Sequence, residues 1–231
     1  MMLQLIDKKK IYLYLILLTI LISIHNVNFI ETFNKIFIVD KINIKSNINK
    51  ITNDRIYKSL DYFYDLNIFS INPDEISNIL NKFNIIGEYK VKKKYPSEIL
   101  IELKETNILA YFFNNNERTY LGENGKEIKN IELTDIDIPL IIGKVNTSNF
   151  LELRKKLIDK GFEFDNFKKF YAFKSNRWDL LYKNKILIKL PIDDLENSLN
   201  KLKDIIEQTN IKNIKIIDLR VKNKIILSWA N

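Results

Sequence analysis

Imidazole-driven nucleophilic catalysis and histidine- or thiolate-bound metals need residue types that this sequence almost lacks. Among 231 residues there is no cysteine and one histidine, His25, which lies inside an apolar run. Disulfides, thiolate metal sites and cysteine nucleophiles are excluded, as are a Ser/His/Asp triad and histidine-ligated zinc beyond that run. Asp137, Asp193 and Asp194 are the carboxylates that could be imagined as an acid–base set. Asp137 reads instead as a solvated loop residue, and Asp193–Asp194 as charges at a helix start, where the dipole favours them. No glycine-rich phosphate loop is present, so no catalytic residue, cofactor, metal or small-molecule substrate is expected.

The excess of 37 Lys and Arg over 29 Asp and Glu gives a net charge of +8. A nucleic-acid binder gathers such charge on one face, often between aromatics. Here the lysines run through the whole chain together with 41 Ile and 29 Asn against 3 Ala, which looks like base-composition bias. Nucleic-acid binding is therefore not expected. The Lys92-Lys93-Lys94 run could meet anionic lipid or an acidic partner. As a strand it would put Lys93 opposite Lys92 and Lys94 and reads as a solvated edge. Trp178 reads as a core aromatic in a strand rather than a ligand platform.

Recognition chemistry is better represented, at Ile225-Ile226-Leu227-Ser228-Trp229. This segment is apolar on both faces and is followed by two further residues. A strand at a sheet edge leaves a row of N–H and C=O groups unpaired, and charge or proline normally blunts it. Neither occurs in these five residues. Two placements stay open: a central strand buried on both faces, or an open edge that takes a strand from another chain. For the open edge, Pro at Ile226 or Glu at Leu227 should weaken partner capture and leave the fold intact.

The elements that must position this strand follow from periodicity. The segment 37–44 reads as a strand, with Ile42 and Ile44 alternating with polar residues. Thr52-Asn53-Asp54 offers a helix cap before Ile56, Leu60 and Phe63, which recur at helical spacing. Asn72-Pro73-Asp74-Glu75 is a stronger helix start, leading to the stripe Ile76, Ile79, Leu80, Phe83. A basic strand from Val91 to Tyr95 turns at Pro96-Ser97 into a strand carrying Ile99, Ile101 and Leu103. The order β-α-α-β-β is a small α+β module with a three-stranded sheet under two helices. After Thr106 come strands at 108–113, at 119–121 and 126–128 around Gly122 and Gly125, a buried run at 139–142, and strands at 170–173, 178–182 and 186–190. Helices carry Phe150, Leu153, Leu157 and Ile158, closed by Gly161, and Leu195, Leu199, Leu202 and Ile206. A hairpin of 214–221 and 225–229 around Lys222-Asn223-Lys224 completes the order. No Pro- or Ser-rich linker separates the modules, and no internal repeat is evident.

Asp7-Lys8-Lys9-Lys10 precedes an apolar run from Ile11 to Ile30. Twenty helical residues span roughly 30 Å, the thickness of a bilayer core. The run is apolar all round, unlike a buried soluble helix, and the lysines favour a cytoplasmic N-terminus. A cleavable signal peptide competes with this reading, but Ser23 to Phe33 has no A-x-A-like site. An uncleaved single-pass anchor is expected.

Four segments resemble a known family. Val91-Lys92-Lys93-Lys94-Tyr95-Pro96-Ser97-Glu98-Ile99 resembles the basic strand, aromatic-Pro turn and return strand of the bacterial division proteins FtsQ and DivIB. The stretch from Tyr120 to Ile128 is similar to their "D-x-x-G-x-x-I" hairpin, with Gly122 and Glu123 replacing the acidic start. Arg177-Trp178-Asp179-Leu180 followed by Lys189-Leu190-Pro191 is similar to the alphaproteobacterial form of the central hairpin. Ile217-Asp218-Leu219-Arg220 resembles the "V-D-L-R" strand. Lys224, where the family often has Gly, and the short C-terminus are departures. The resemblance covers nearly the whole chain.

It implies an α+β protein with a cytoplasmic tail at 1–10, a single N-terminal transmembrane helix at 11–30, a POTRA domain at 37–106 and a β-rich domain at 107–231. The last would hold a mixed or antiparallel sheet and two helices. It implies a non-enzymatic scaffold of the inner membrane and division septum, with its bulk in the periplasm. Upstream division proteins would meet the POTRA domain, and an FtsB/FtsL-like pair would bind by strand addition at the C-terminal β edge. Carried onto this sequence, the contacts come from Arg177, Arg220, Val221, Asn223, Ile225, Ile226, Leu227 and Trp229, with Arg177 pairing an acidic partner helix. Two rival readings remain. A POTRA-bearing outer-membrane assembly or secretion component would need a β-barrel or several repeats, for which about 125 residues after Thr106 leave little room. A membrane-anchored cell-wall hydrolase would need a convergent acid–base or metal set.

Overall fold

The structure is a computed structural model that describes residues 8–24, 27–48, 50–129, 131, 137–208, 213–222 and 224–229. It divides into two compact units at Glu105/Thr106.

The first unit opens with two helices, α1 (Lys8–Ile24) and α2 (Val27–Ile36). The expected span over 11–30 falls on α1 and the start of α2, with residues 25 and 26 outside the described residues. α1 is 17 residues long, roughly 26 Å, and among the described residues no helix is long and apolar enough to cross a membrane. His25 lies outside the described residues. The second helix differs in kind: after Lys8–Lys10, α1 is apolar on most of its circumference, whereas α2 interleaves apolar residues with Glu31, Asn34 and Lys35. Polar residues at helical spacing make α2 amphipathic rather than a continuation of the apolar rod.

The globular part of this unit has β1 (Lys41–Lys45), α3 (Lys50–Leu60), α4 (Pro73–Leu80), β2 (Ile86–Lys94) and β3 (Glu98–Glu105). The strands form one sheet in the order β1-β3-β2, with β1 parallel and β2 antiparallel to the central β3. Ile99, Leu100, Ile101 and Leu103 of β3 are buried, as expected of a middle strand. Ile56, Leu60, Phe63, Ile76 and Leu80 complete the core. Asn72 caps α4, its side chain accepting from the Asp74 N–H at 3.0 Å. The cap expected at 52–54 is not used, because α3 already begins at Lys50; Asn53 instead donates back to the Ile48 carbonyl at 2.8 Å. The basic strand is an edge strand. Along it Lys92 and Lys94 are exposed and Lys93 half-buried, and Lys92 pairs with Glu102 at 3.1 Å.

The second unit is a nine-stranded mixed sheet. Its strands are β4 (Ile108–Asn114), β5 (Glu117–Gly122), β6 (Glu127–Ile128), β7 (Leu140–Gly143), β8 (Phe167–Ala172), β9 (Trp178–Tyr182), β10 (Ile186–Lys189), β11 (Ile214–Asp218) and β12 (Ile226–Trp229). Two helices accompany them, α5 (Thr147–Asp159) and α6 (Leu195–Gln208). The spatial order is β12-β11-β10-β9-β8-β7-β4-β5-β6. Asn115 and Asn116 both take positive φ, the two-residue turn that suits a right-twisted hairpin between β4 and β5. Gly143 has φ +111, and a Cβ there would meet the Ala172 carbonyl oxygen at 2.2 Å, so β7 approaches β8 more closely than any side chain permits.

One row of paired residues runs through six strands: Ile141, Phe170, Leu180, Ile188, Ile217 and Leu227. It lies in the core that α5 supplies with Phe150, Leu153 and Leu157 and α6 with Leu199, Leu202 and Ile205. Each fully buried Phe or Leu contributes about 2 kcal/mol, so this row sets the register of the sheet. Trp178 is a core residue, tilted against Phe150 at 6.1 Å and edge-on to Phe170 at 6.4 Å. Asp137 is exposed and ion-paired with Lys168.

Candidate functional site

The strand at one end of this sheet is β12. Among the described residues it has one strand neighbour, the antiparallel β11, paired through Ile217↔Leu227 and Asp218↔Ile226. Of the two placements open to Ile225–Trp229, the chain takes the edge. Ile226 and Trp229 are 48 % and 52 % exposed, and Ile225 is exposed just before the strand. Leu227 behaves differently. It is half-buried and packed on the core, on the face opposite Ile226 because side chains alternate along a strand; Trp229 shares that face and is exposed at the strand end. A Glu at Leu227 would therefore damage packing as well as any partner surface, contrary to the expectation that it leaves the fold intact. Asn223 lies outside the described residues.

The hairpin is shorter than its apolar pattern suggests. β11 stops at Asp218, and Leu219 to Ile225 form the connection, so Arg220 and Val221 sit beside the edge rather than in a strand. The cause is local. The Asp218 carboxylate accepts the backbone N–H of Arg220 at 3.1 Å, an alternative to ladder pairing. It also accepts Nε at 2.9 Å and a guanidinium NH2 at 2.6 Å. This charge-assisted fork holds Arg220 in place. The same bonds keep the Asp218 carboxyl below the usual carboxylate range, against the opposing effect of burial.

On the sheet face opposite the helices, the row next to the apolar one reads Asp179, Lys189, Asp218, Ile226 across β9 to β12. Asp179 is buried, and burial pushes its carboxyl up while Arg177, Arg220 and Lys189 pull it down. Arg177 Nε stands 3.4 Å from Asp179 Oδ1, yet neither atom has a hydrogen-bond partner among the described residues. The ion pair is thus one of proximity without direction. The Arg177 guanidinium lies instead over the Phe173 ring, 3.9 Å from its centre, a cation–π arrangement. Of two Arg–Asp pairs related by a two-residue offset, one is locked and the other is loose.

Both arginines line one groove of about 470 Å³, together with Val221, Lys201, Lys222, Lys224, Asp193 and Asp194. Five basic side chains against two acids give the groove a net positive charge. Asp194 precedes α6, where it accepts the Asn197 side-chain amide at 2.5 Å. Sequence reasoning missed Lys189, Lys201 and the buried carboxylates. A period-two signal was present for the last, since Arg177-x-Asp179 and Asp218-x-Arg220 each place an acid and a base on one face. Among the described residues no cluster of three or more His, Asp or Glu could hold a metal.

Comparison with known proteins identifies both units. The FtsQ-type POTRA domain family matches residues 37–106, and the C-terminal domain family of cell division proteins FtsQ/DivIB matches 110–220. The chain belongs to the FtsQ/DivIB family. It is 31 % identical over 191 residues to cell division protein FtsQ of Rickettsia prowazekii, covering 78 % of this chain and 67 % of that protein. Against the Rickettsia bellii FtsQ it is 33 % identical over 182 residues, covering 73 % and 64 %. With cell division protein DivIB of Clostridium botulinum it shares 34 % over 137 residues, covering 56 % and 50 %. The chain thus spans about two thirds of the length of the Rickettsia relatives. The basic strand and aromatic-Pro turn are β2 and its exit in the FtsQ-type POTRA domain, and the "V-D-L-R"-like segment is the last two residues of β11 and the two that follow it in the FtsQ/DivIB domain.

Proposed function

We propose that this chain is a non-enzymatic scaffold of the division machinery that captures an FtsB/FtsL-like partner by strand addition to β12. The observation that carries the reading is the open outer margin of β12, bare of charge and proline, beside a basic groove. Magnitudes say that both parts are needed. A four-residue strand offers about four outward main-chain groups, each worth about 1 kcal/mol net when paired. That alone gives millimolar affinity at best. The exposed Ile226 and Trp229 and the cations Arg177, Arg220 and Lys222 supply the remainder, by apolar contact and by steering an acidic segment. Ile225 and Val221 extend the apolar margin, and Leu227 acts from beneath as the residue that fixes the strand.

Anchoring follows the same reading. α1 exposes Tyr12, Leu13, Tyr14, Leu17, Leu21 and Ile22 on all sides, and a helix of that kind finds its cover in lipid. It inserts in the inner membrane with Lys8–Lys10 on the cytoplasmic side, and the two compact units work in the periplasm at the septum. The POTRA-type unit receives other division proteins.

Two experiments test this. Ile226→Pro in the full chain should abolish pull-down of an FtsB/FtsL-like segment while circular dichroism stays unchanged; retained capture would refute strand addition. A fluorescent fusion should form a mid-cell band in dividing cells, whereas a uniform envelope signal would refute the septal role.

A further inference from the structure

At the start of the POTRA-type unit three aromatic rings lie outside the core. Phe37 packs on Phe69 with ring centres 4.9 Å apart, and Phe69 stacks on Tyr95 at 5.0 Å and 24°. Phe69 and Tyr95 are each 58 % exposed. Aromatics with this much apolar surface normally belong to a core or an interface.

The rings continue directly from α2. Its apolar residues recur every three to four positions with Glu31 and Lys35 between them, and Ile36 at its end is exposed. No slack separates helix from domain. The N–H groups of Phe37 and Ile38 donate to the Asn34 and Lys35 carbonyls at 3.2 and 3.3 Å. Ile68 donates to the Phe37 carbonyl at 2.8 Å, and Val39 to that of Leu66 at 2.9 Å. The chain leaving α2 is therefore bonded to the loop that carries Phe69. On its other side, two residues separate α2 from α1, which is predominantly apolar from Ile11 onward.

We propose that α2 and the ladder Phe37–Phe69–Tyr95 form a platform that seats the POTRA-type unit on an anionic lipid bilayer. This rests on the reading of α1 as a membrane anchor. An amphipathic helix lies in the interfacial plane of a bilayer; Tyr95, a ring with a polar tip, belongs at the same depth, and Phe37 and Phe69 add apolar ring surface beside it. Lys35 and Lys94 flank the ladder in sequence and attract lipid phosphate. Asp40, whose N–H donates to the Ser97 carbonyl beside the Tyr95–Ser97 turn, offsets part of that attraction, so ring contact is the larger contribution. The platform removes one degree of freedom from the scaffold, because a domain seated on lipid presents its free strand edges at a fixed height.

The absence of cysteine lets single-cysteine variants of the full chain carry one fluorophore each. The reconstitution uses vesicles of phosphatidylethanolamine and phosphatidylglycerol containing spin-labelled lipid. Leu17→Cys reports on α1. Lys94→Cys reports on the platform end of the sheet. Lys104→Cys reports on the far end of β3, six residues or about 20 Å from Glu98, the partner of Lys94. Quenching at Lys94 should exceed that at Lys104 at least threefold. Phe69→Ser with Tyr95→Ser should bring Lys94 down to the Lys104 level. Equal, weak quenching at both sites with strong quenching at Leu17 would overturn the platform and leave the anchor standing. No quenching at Leu17 would overturn the anchor reading and this one with it. Probe–probe quenching at Lys94 that survives dilution in lipid, without lipid quenching, would make a second copy the occupant and overturn the proposal.

Discussion

The two ends of the nine-stranded sheet are built on opposite terms. At one end β6 has only two residues, Ile128 turned into the core and Glu127 exposed beside Lys126. At the other, β12 is twice as long and shows Ile226 and Trp229 to solvent without a charge among its four residues. Short strands and charges are the usual defences of a sheet edge. The outer strand β2 of the POTRA-type unit follows the same defensive rule with Lys90, Lys92 and Lys94 exposed along it. Against these, β12 stands undefended. An open edge of this kind is where the proposed strand addition would act, and the basic groove beside β12 would suit an acidic segment.

This contrast can be broken. The largest effect is expected from Ile226→Lys with Trp229→Lys, which gives β12 the defence that β2 already has. Capture of the partner segment, measured by titration calorimetry, should weaken at least tenfold, or about 1.4 kcal/mol. Thermal stability should stay within about 0.5 kcal/mol, since both side chains are exposed.

Next comes Asp218→Asn, which unlocks Arg220. The variant should lose about 1 kcal/mol of stability, the lower part of the range for a charge-assisted bond because Arg220 is partly exposed. The folded Asp218 carboxyl lies below its ordinary value of 3.8. Its contribution is therefore complete above that value and fades as the pH drops through the folded pKa. Chemical denaturation at stepped pH should show this acid-side loss in the parent and not in the variant.

Asp179→Asn should act in the opposite sense and more weakly. Burial raises the folded pKa of Asp179 above 3.8, so its ionisation opposes folding at neutral pH and that penalty disappears as the pH falls toward 3.8. The variant should match or slightly exceed the parent in thermal stability at pH 7. A clear fall would mean that the loose Arg177 contact holds Asp179 more firmly than its geometry indicates.

The smallest effect sharpens the comparison from the other side. Lys92→Thr with Lys94→Thr removes the charges from the β2 edge and one exposed ion pair worth under about 1 kcal/mol. It should leave folding intact but raise self-association in sedimentation experiments. No such rise would mean that charge is not what keeps β2 unpaired.

Much of this was legible in the chain itself. Asn72-Pro73 marks a helix start because cap and ring constraints act within three residues, and α4 begins there. The alternation of Ile99, Ile101 and Leu103 announced a strand, and the run at 225–229 announced an apolar one. The failures lie where a side-chain bond or a change of polar spacing within a few residues overrides the apolar run. The apolar pattern carried the last hairpin through Arg220 and Val221, but the Asp218 carboxylate withdraws the Arg220 N–H from the ladder. The apolar stretch after Ile11 suggested one continuous rod, whereas α1 gives way to an amphipathic α2.

Residue types and their local spacing excluded cysteine chemistry, marked the main strands and helices, and showed that one apolar run carries neither charge nor proline. Which side of that strand faces the core, which neighbour it pairs with, and that Arg177 and Arg220 share a groove came from tertiary structure alone. Local propensity acts over a few residues, but sheet order is a choice among partners scattered along the chain. The packing of Ile141, Phe170, Leu180, Ile188, Ile217 and Leu227 into one row makes that choice.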